Sequence, residues 1–243
     1  MRVVRYDQFD GIDRLWIDEV AVPDAARGHV VVQIRAACIN PGSLSALRGV
    51  PFVPVRDLAG TVVDVGEDVH DMAVGDEVLG WLQDWSAHAE FAAVPADQLI
   101  PKPADLSWDV AGSLFVTPIS GLAGVQAVKP MAGEVVVVAG ASGGVGLTAV
   151  QLSRRAAATV IGIGSRGNAD RLEEFGAVPV AYDDLDVAAG VREAAPGGID
   201  AFVDAFGSGC IDLALELGVP RARIATVVDY QAARERASWR SAR

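Results

Sequence analysis

Cysteine is almost absent from this sequence: Cys38 and Cys210 are the only two, and they lie far apart. Two reduced, partly buried thiols are expected in place of a disulfide framework or a nucleophile. Histidine is also scarce, and His29, His70 and His88 stand alone with no HxxxH or CxxC spacing. A protein-built zinc site needs three or four converging ligands, and this pattern offers none, so no metal is expected. Long apolar runs are missing too: no stretch reaches the roughly 18 to 20 residues that span a bilayer. The N-terminus, MRVVRYDQFDG, lacks the apolar core of a signal peptide, so a cytoplasmic protein is expected. Basic clusters are absent except in the last few residues, and the formal charge is -12. That excludes nucleic acid as a partner, because phosphate binding needs grouped Lys and Arg.

What the chain does have is apolar residues (51%) and glycine (26 of 243), the balance of an α/β protein. Two halves differ in period. In residues 1–112, the β-branched runs HVVVQIRA (29–36), AGTVVDV (59–65), DEVLGW (76–81) and HAEFAAV (88–94) are bounded by Gly, Pro and Asp. They predict a small antiparallel barrel or sandwich. Around Asp105 the pattern changes. Ser107 is a candidate N-cap for one apolar helical run reaching toward Val128. Across 113–243 strands and helices alternate: strand EVVVVA (134–139), helix 143–155, strand TVIGI (159–163) and helix 169–174. Then follow helix 187–194, strand IDAFVDA (199–205) and a short strand at 223–228. Alternating βαβα predicts a doubly wound parallel sheet.

Between the EVVVVA strand and its helix runs Gly140-Ala-Ser142-Gly143-Gly144-Val145-Gly146. Strand, tight turn and helix start are the context in which glycines admit a pyrophosphate to free N–H groups and the helix dipole. The spacing is GxxGxxG with an added glycine, a variant of the GxGxxG fingerprint. About 20 residues further on, an NAD protein places a carboxylate for the ribose 2′-hydroxyl. This chain reads Gly164-Ser165-Arg166-Gly167 there, a hydroxyl and a guanidinium suited to a 2′-phosphate. NADP(H) is therefore the expected cofactor, with Arg171 a weaker second cation. The Tyr-x-x-x-Lys pair of short-chain dehydrogenases is excluded, because Tyr6, Tyr182 and Tyr230 are followed four places on by Asp10, Asp186 and Arg234.

Further motifs join the glycine loop: Ile39-Asn40-Pro41, the run from Pro54 to Gly66 (PVRDLAGTVVDVG), Val74-Gly-Asp76-Glu-Val78 and Ala87-His-Ala-Glu-Phe91. Together they resemble the medium-chain dehydrogenase/reductase superfamily, specifically its zinc-independent quinone oxidoreductase branch, over about residues 1 to 230. The resemblance implies a GroES-like barrel followed by a Rossmann-type domain, with the nicotinamide in the cleft between them. Zinc-dependent relatives carry a Cys about where Asn40 stands and a His-Glu pair about where Arg56-Asp57 stand. The resemblance implies cofactor contacts at Asn40, Ser142, Gly143, Gly144, Val145, Ser165, Arg166, Phe206 and Gly207, with Tyr182 near the adenosine. Two positions depart from the family pattern: Ala123 stands where a threonine is frequent, and Gly49–Phe52 holds no tyrosine.

Hydride transfer to an enone or quinone asks little of side chains, because the cofactor carries the chemistry and solvent can protonate the product. Alcohol oxidation would need a group to polarise the hydroxyl, which zinc does in relatives. The expectation is thus an NADPH-dependent reductase of a small-molecule quinone or enone. Asn40 is its one candidate catalytic residue, although an Asn satisfying the turn before Pro41 reads equally well. Trp81 and Trp85 read as packing before pocket lining. Two other readings stay open. An enoyl-thioester reductase calls for basic residues at the cleft mouth, and no such cluster is seen; the other is a catalytically silent NADPH-binding protein. Relatives run some 60 to 90 residues further, so a C-terminal truncation that removes the sheet's last strand is expected. Any homodimer then needs a rearranged interface.

Overall fold

The computed structural model describes residues 1–5, 12–40, 56–82, 87–183 and 186–236. The chain divides into two compact units, Met1–Val116 and Thr117–Arg243. Trp85, the segment Gly49–Phe52 and the tail beyond residue 236 lie outside the described residues.

In the first unit, β1 (Arg2–Arg5) pairs antiparallel with β2 (Trp16–Glu19). The main sheet holds β3 (His29–Ala37), β4 (Arg56–Val65), β5 (Glu77–Leu82), β6 (Phe91–Pro95) and β7 (Leu99–Pro101), in the order β6-β3-β4-β5-β7. All of its pairings are antiparallel. Register shifts between Val31 and Val32 and between Ile34 and Ala36 interrupt the β3–β4 ladder, as an extra residue in one strand does. Burial alternates along β6 as period 2 demands. Val30, Val32, Leu58, Val62, Val78 and Val94 close the core.

The helix expected to run from Ser107 to Val128 is two helices. Ser107 does cap the first, Trp108–Ala111, its side chain accepting from the Val110 N–H. Gly112 ends it, and a second helix covers Val116–Val128. A contact distant in sequence sets the restart: the buried Asp57 carboxylate on β4 accepts from the Val116 N–H at 3.0 Å. The negative charge also suits a helix start.

The second unit is a parallel sheet of β8 (Val135–Ala139), β9 (Thr159–Gly164), β10 (Ala177–Ala181), β11 (Ala201–Asp204) and β12 (Ile224–Thr226). Its order is β10-β9-β8-β11-β12, so the chain winds one way from β8 and then returns to its other side. Alternate residues of β8 serve two cores, Val136 and Val138 on one face, Val137 and Ala139 on the other. Burial on both faces explains why EVVVVA is continuously apolar. Sequence pattern passes over β10, whose Pro179 breaks a strand signal; the proline is accommodated because β10 is an edge strand. The helix Cys210–Glu216 was likewise unforeseen. Among the described residues, no helix is long and apolar enough to cross a membrane.

Candidate functional site

The winding reverses between β8 and β11, and in such sheets ligands lie beyond the strands' C-terminal ends at that reversal. A cavity of about 490 Å³ opens there, lined by the turn after β8, the turn after β9 and the turn after β11. That volume is within the range of small-molecule sites.

The turn after β8 is built by glycine. Gly140 has φ +69, a left-handed backbone that L side chains avoid, and the Gly143 N–H donates back to its carbonyl at 3.1 Å. At Gly146 a Cβ would land on the Gly140 carbonyl oxygen and 2.7 Å from Ala141 Cα. Only glycine lets the helix Gly144–Arg155 start this close to the strand. Gly143 is its N-cap and supplies no side chain to the first turn. The leading N–H groups of a helix have no intrahelical acceptor, so this end offers donors and positive dipole to an anion. This cradle fits a diphosphate.

Ser142, Gly143, Ser165, Tyr182 and Phe206 all line the cavity. Gly144, Arg166 and Gly207 stand next to lining residues but not on the wall themselves, and Val145 lies two residues past Gly143. Asn168 Nδ2 donates to Ser165 Oγ at 2.7 Å, which fixes the hydroxyl as an acceptor there and turns its own proton elsewhere. Tyr182 stacks on Phe206, with centroids 6.1 Å apart and planes 19° from parallel. The ring expected beside an adenosine thus has a protein neighbour. Asp204 shapes the turn after β11: fully buried, it accepts from the N–H groups of Phe206 (2.9 Å) and Gly207 (2.7 Å) and from Thr226 Oγ1 (2.7 Å).

Sequence reasoning missed three members of this site. Cys210 and Asn168 also line the cavity; burial first, and then the Asp204 carboxylate, push the Cys210 thiol up to about 12. The third is Asp183. The turn 165–168 after β9 holds no carboxylate of its own, yet Asp183, just past β10, accepts from the Arg166 N–H at 3.2 Å. The only sequence signal was its place immediately after Tyr182.

Asn40 belongs to the first unit. Its Nδ2 donates to Cys38 Sγ at 3.0 Å, and that thiol donates to Asp57 Oδ2 at 3.2 Å. His88 Nε2 donates to the Cys38 carbonyl at 3.0 Å. Burial, followed by the adjacent Asp57, pushes the Cys38 thiol up to about 12. Burial also raises Asp57 against the hydrogen bonds that lower it, the thiol's being the largest. Trp81 stacks on Phe115 at 5.9 Å as packing. Among the described residues, no group of three or more His, Cys, Asp or Glu could hold a metal ion.

Residues 26–104 match the alcohol dehydrogenase GroES-like domain. Over 196 residues the chain is 30% identical to the 2-methylene-furan-3-one reductase of Solanum lycopersicum, covering 73% of this chain and 50% of that protein. Over 171 residues it is 30% identical to the quinone oxidoreductase of Mus musculus, covering 67% and 52%. The solved quinone oxidoreductase from Coxiella burnetii aligns with a TM-score of 0.83 at 25% identity, covering 96% of this chain and 77% of that one. The chain spans about half the length of the curated relatives it matches.

Proposed function

Because this chain belongs to the medium-chain dehydrogenase/reductase superfamily, we propose that it is an NADPH-dependent, metal-independent reductase of quinones or α,β-unsaturated carbonyls. One observation carries the reading: the glycine cradle and uncapped helix end open on the cavity where the parallel sheet reverses its winding. When bound, NADPH supplies the hydride. The chain's own residues bind and orient. Amides from Gly144 to Gly146 face the diphosphate, and Ser165 with Arg166 holds the 2′-phosphate. The Tyr182 and Phe206 rings flank the dinucleotide. Cys38 fixes the plane of the Asn40 amide, which serves as a polar group toward the substrate carbonyl. The residues at 40 and 56–57, Asn and Arg-Asp, are not the zinc-ligand set of metal-dependent relatives, in keeping with a hydride acceptor that is already activated. The named relatives act, by their names, on a methylene-furanone and on quinones, and both are conjugated carbonyl compounds.

The test follows NADPH consumption by absorbance with a benzoquinone, an acyclic enone and an enoyl thioester, beside NADPH binding by fluorescence. Turnover of the first two is expected. Arg166→Ala is expected to weaken NADPH about ten- to hundredfold while sparing NADH, as lost charge-assisted hydrogen bonds would. Binding without turnover of any substrate would refute the reductase assignment, and preference for the thioester would move it to acyl substrates.

A further inference from the structure

The cofactor reading above rests on a hydroxyl and a cation in the turn 165–168 after β9, which holds no carboxylate of its own. The fold changes that electrostatic picture. Tyr182, one residue past β10, has its N–H bound to the Gly164 carbonyl at 2.9 Å. The next residue is thereby held against the turn after β9, and Asp183 Oδ1 accepts from the Arg166 N–H at 3.2 Å. Asp183 is exposed, and its neighbour Tyr182 lines the cavity. A negative charge therefore stands one hydrogen bond from the main chain of the residue read as holding the 2′-phosphate.

We propose that Asp183 is a specificity-determining residue that limits the preference for NADPH over NADH. Two opposed charges share one turn. A 2′-phosphate drawn by Arg166 also meets the like charge of Asp183, whereas a ribose 2′-hydroxyl finds in that carboxylate an acceptor of the kind NAD proteins use. The chain accordingly binds both coenzymes with a modest ratio instead of rejecting NADH. This proposal rests on the cofactor reading of the preceding subsection and goes further by naming the group that opposes it.

Asp183→Asn isolates the charge, because an Asn Oδ1 can still accept from the Arg166 N–H and keep the turn. Dissociation constants for NADPH and NADH are measured by coenzyme fluorescence, with no substrate present, in low salt and at about 0.5 M salt. Asp183→Asn is expected to tighten NADPH about threefold to tenfold, the size of one screened like-charge pair at a surface. NADH should be unchanged or weaker, and the gain should shrink in high salt. Arg166→Ala is measured alongside. If Arg166→Ala lowers the NADPH/NADH preference but Asp183→Asn leaves it unmoved, the Asp183 proposal is overturned and the cofactor reading stands. If neither variant moves it, the cofactor reading fails and takes the proposal with it. Equal loss of both coenzymes in Asp183→Asn marks a purely structural carboxylate and also overturns the proposal.

Discussion

The two units treat their polar groups in opposite ways. In the first, Asn40, Cys38, Asp57, His88 and the Val116 N–H are engaged with one another through short contacts around a fully buried carboxylate. In the second, the turn after β8 ends at a helix start whose N-cap is glycine and offers no side chain. One region satisfies its donors and acceptors internally. The other leaves the leading N–H groups of a helix without a side-chain cap. The exposed helix start in the second unit is the end read above as a cofactor cradle, whereas the buried cluster in the first follows the rule that buried polar groups find partners.

Three experiments can break or sharpen that contrast. The largest effect concerns the thiols. With Cys38 and Cys210 both pushed up to about 12, their thiolate fraction at neutral pH falls roughly three orders of magnitude below that of an ordinary cysteine. Labelling by a disulfide reagent should be very slow for both until the chain is denatured. Fast labelling of Cys38 alone would mean that its thiol is not donating to Asp57, and the closed cluster would be lost as a concept.

Next comes Gly146→Ala, which forces a methyl against the Gly140 carbonyl. Overpacking of this kind costs about 1–3 kcal/mol, and displacing the helix start should weaken NADPH binding about tenfold or more. Thermal unfolding and a fluorescence titration read the two effects separately. Undiminished binding would show that the cradle is not the diphosphate site.

The smallest effect is a pH dependence at Asp57. Burial raises its carboxyl, so the folded chain holds that proton to higher pH than the unfolded chain does. The stability this contributes is present at acid pH and is lost as pH rises from the unfolded value of 3.8 through the folded one. Asp57→Asn does not titrate. Its melting temperature relative to the parent should therefore climb as pH rises above 3.8 and level off once the folded carboxyl is ionised. The opposite slope would mean that hydrogen bonds outweigh burial at this carboxylate.

Much of the second unit could be read from residues alone because its constraints are local. Gly140 answers to its own left-handed backbone and Gly146 to atoms a few positions away, and the apolar EVVVVA run answers to burial on both faces. What escaped the sequence depended on distant partners. Asp57 restarts a helix 59 residues later, so one apolar run became two helices. Asp183 reaches Arg166 across 17 residues and brings a carboxylate to a turn that has none of its own. The hairpin of β1 and β2 joins four-residue strands separated by ten residues, too short and too far apart for a periodic signal. Asn40 is singled out by the family resemblance, and one of its partners is a thiol read from sequence only as reduced and partly buried.

Pro179 carries a further consequence. A parallel sheet exposes a row of main-chain donors and acceptors along each outer strand, ready to template another polypeptide. On β10 that row lacks the hydrogen that a proline nitrogen cannot carry. The residue that hid this strand from sequence pattern thus also makes it a poor seed for sheet-to-sheet polymerisation, guarding the flank of the molecule that holds Tyr182 and Asp183.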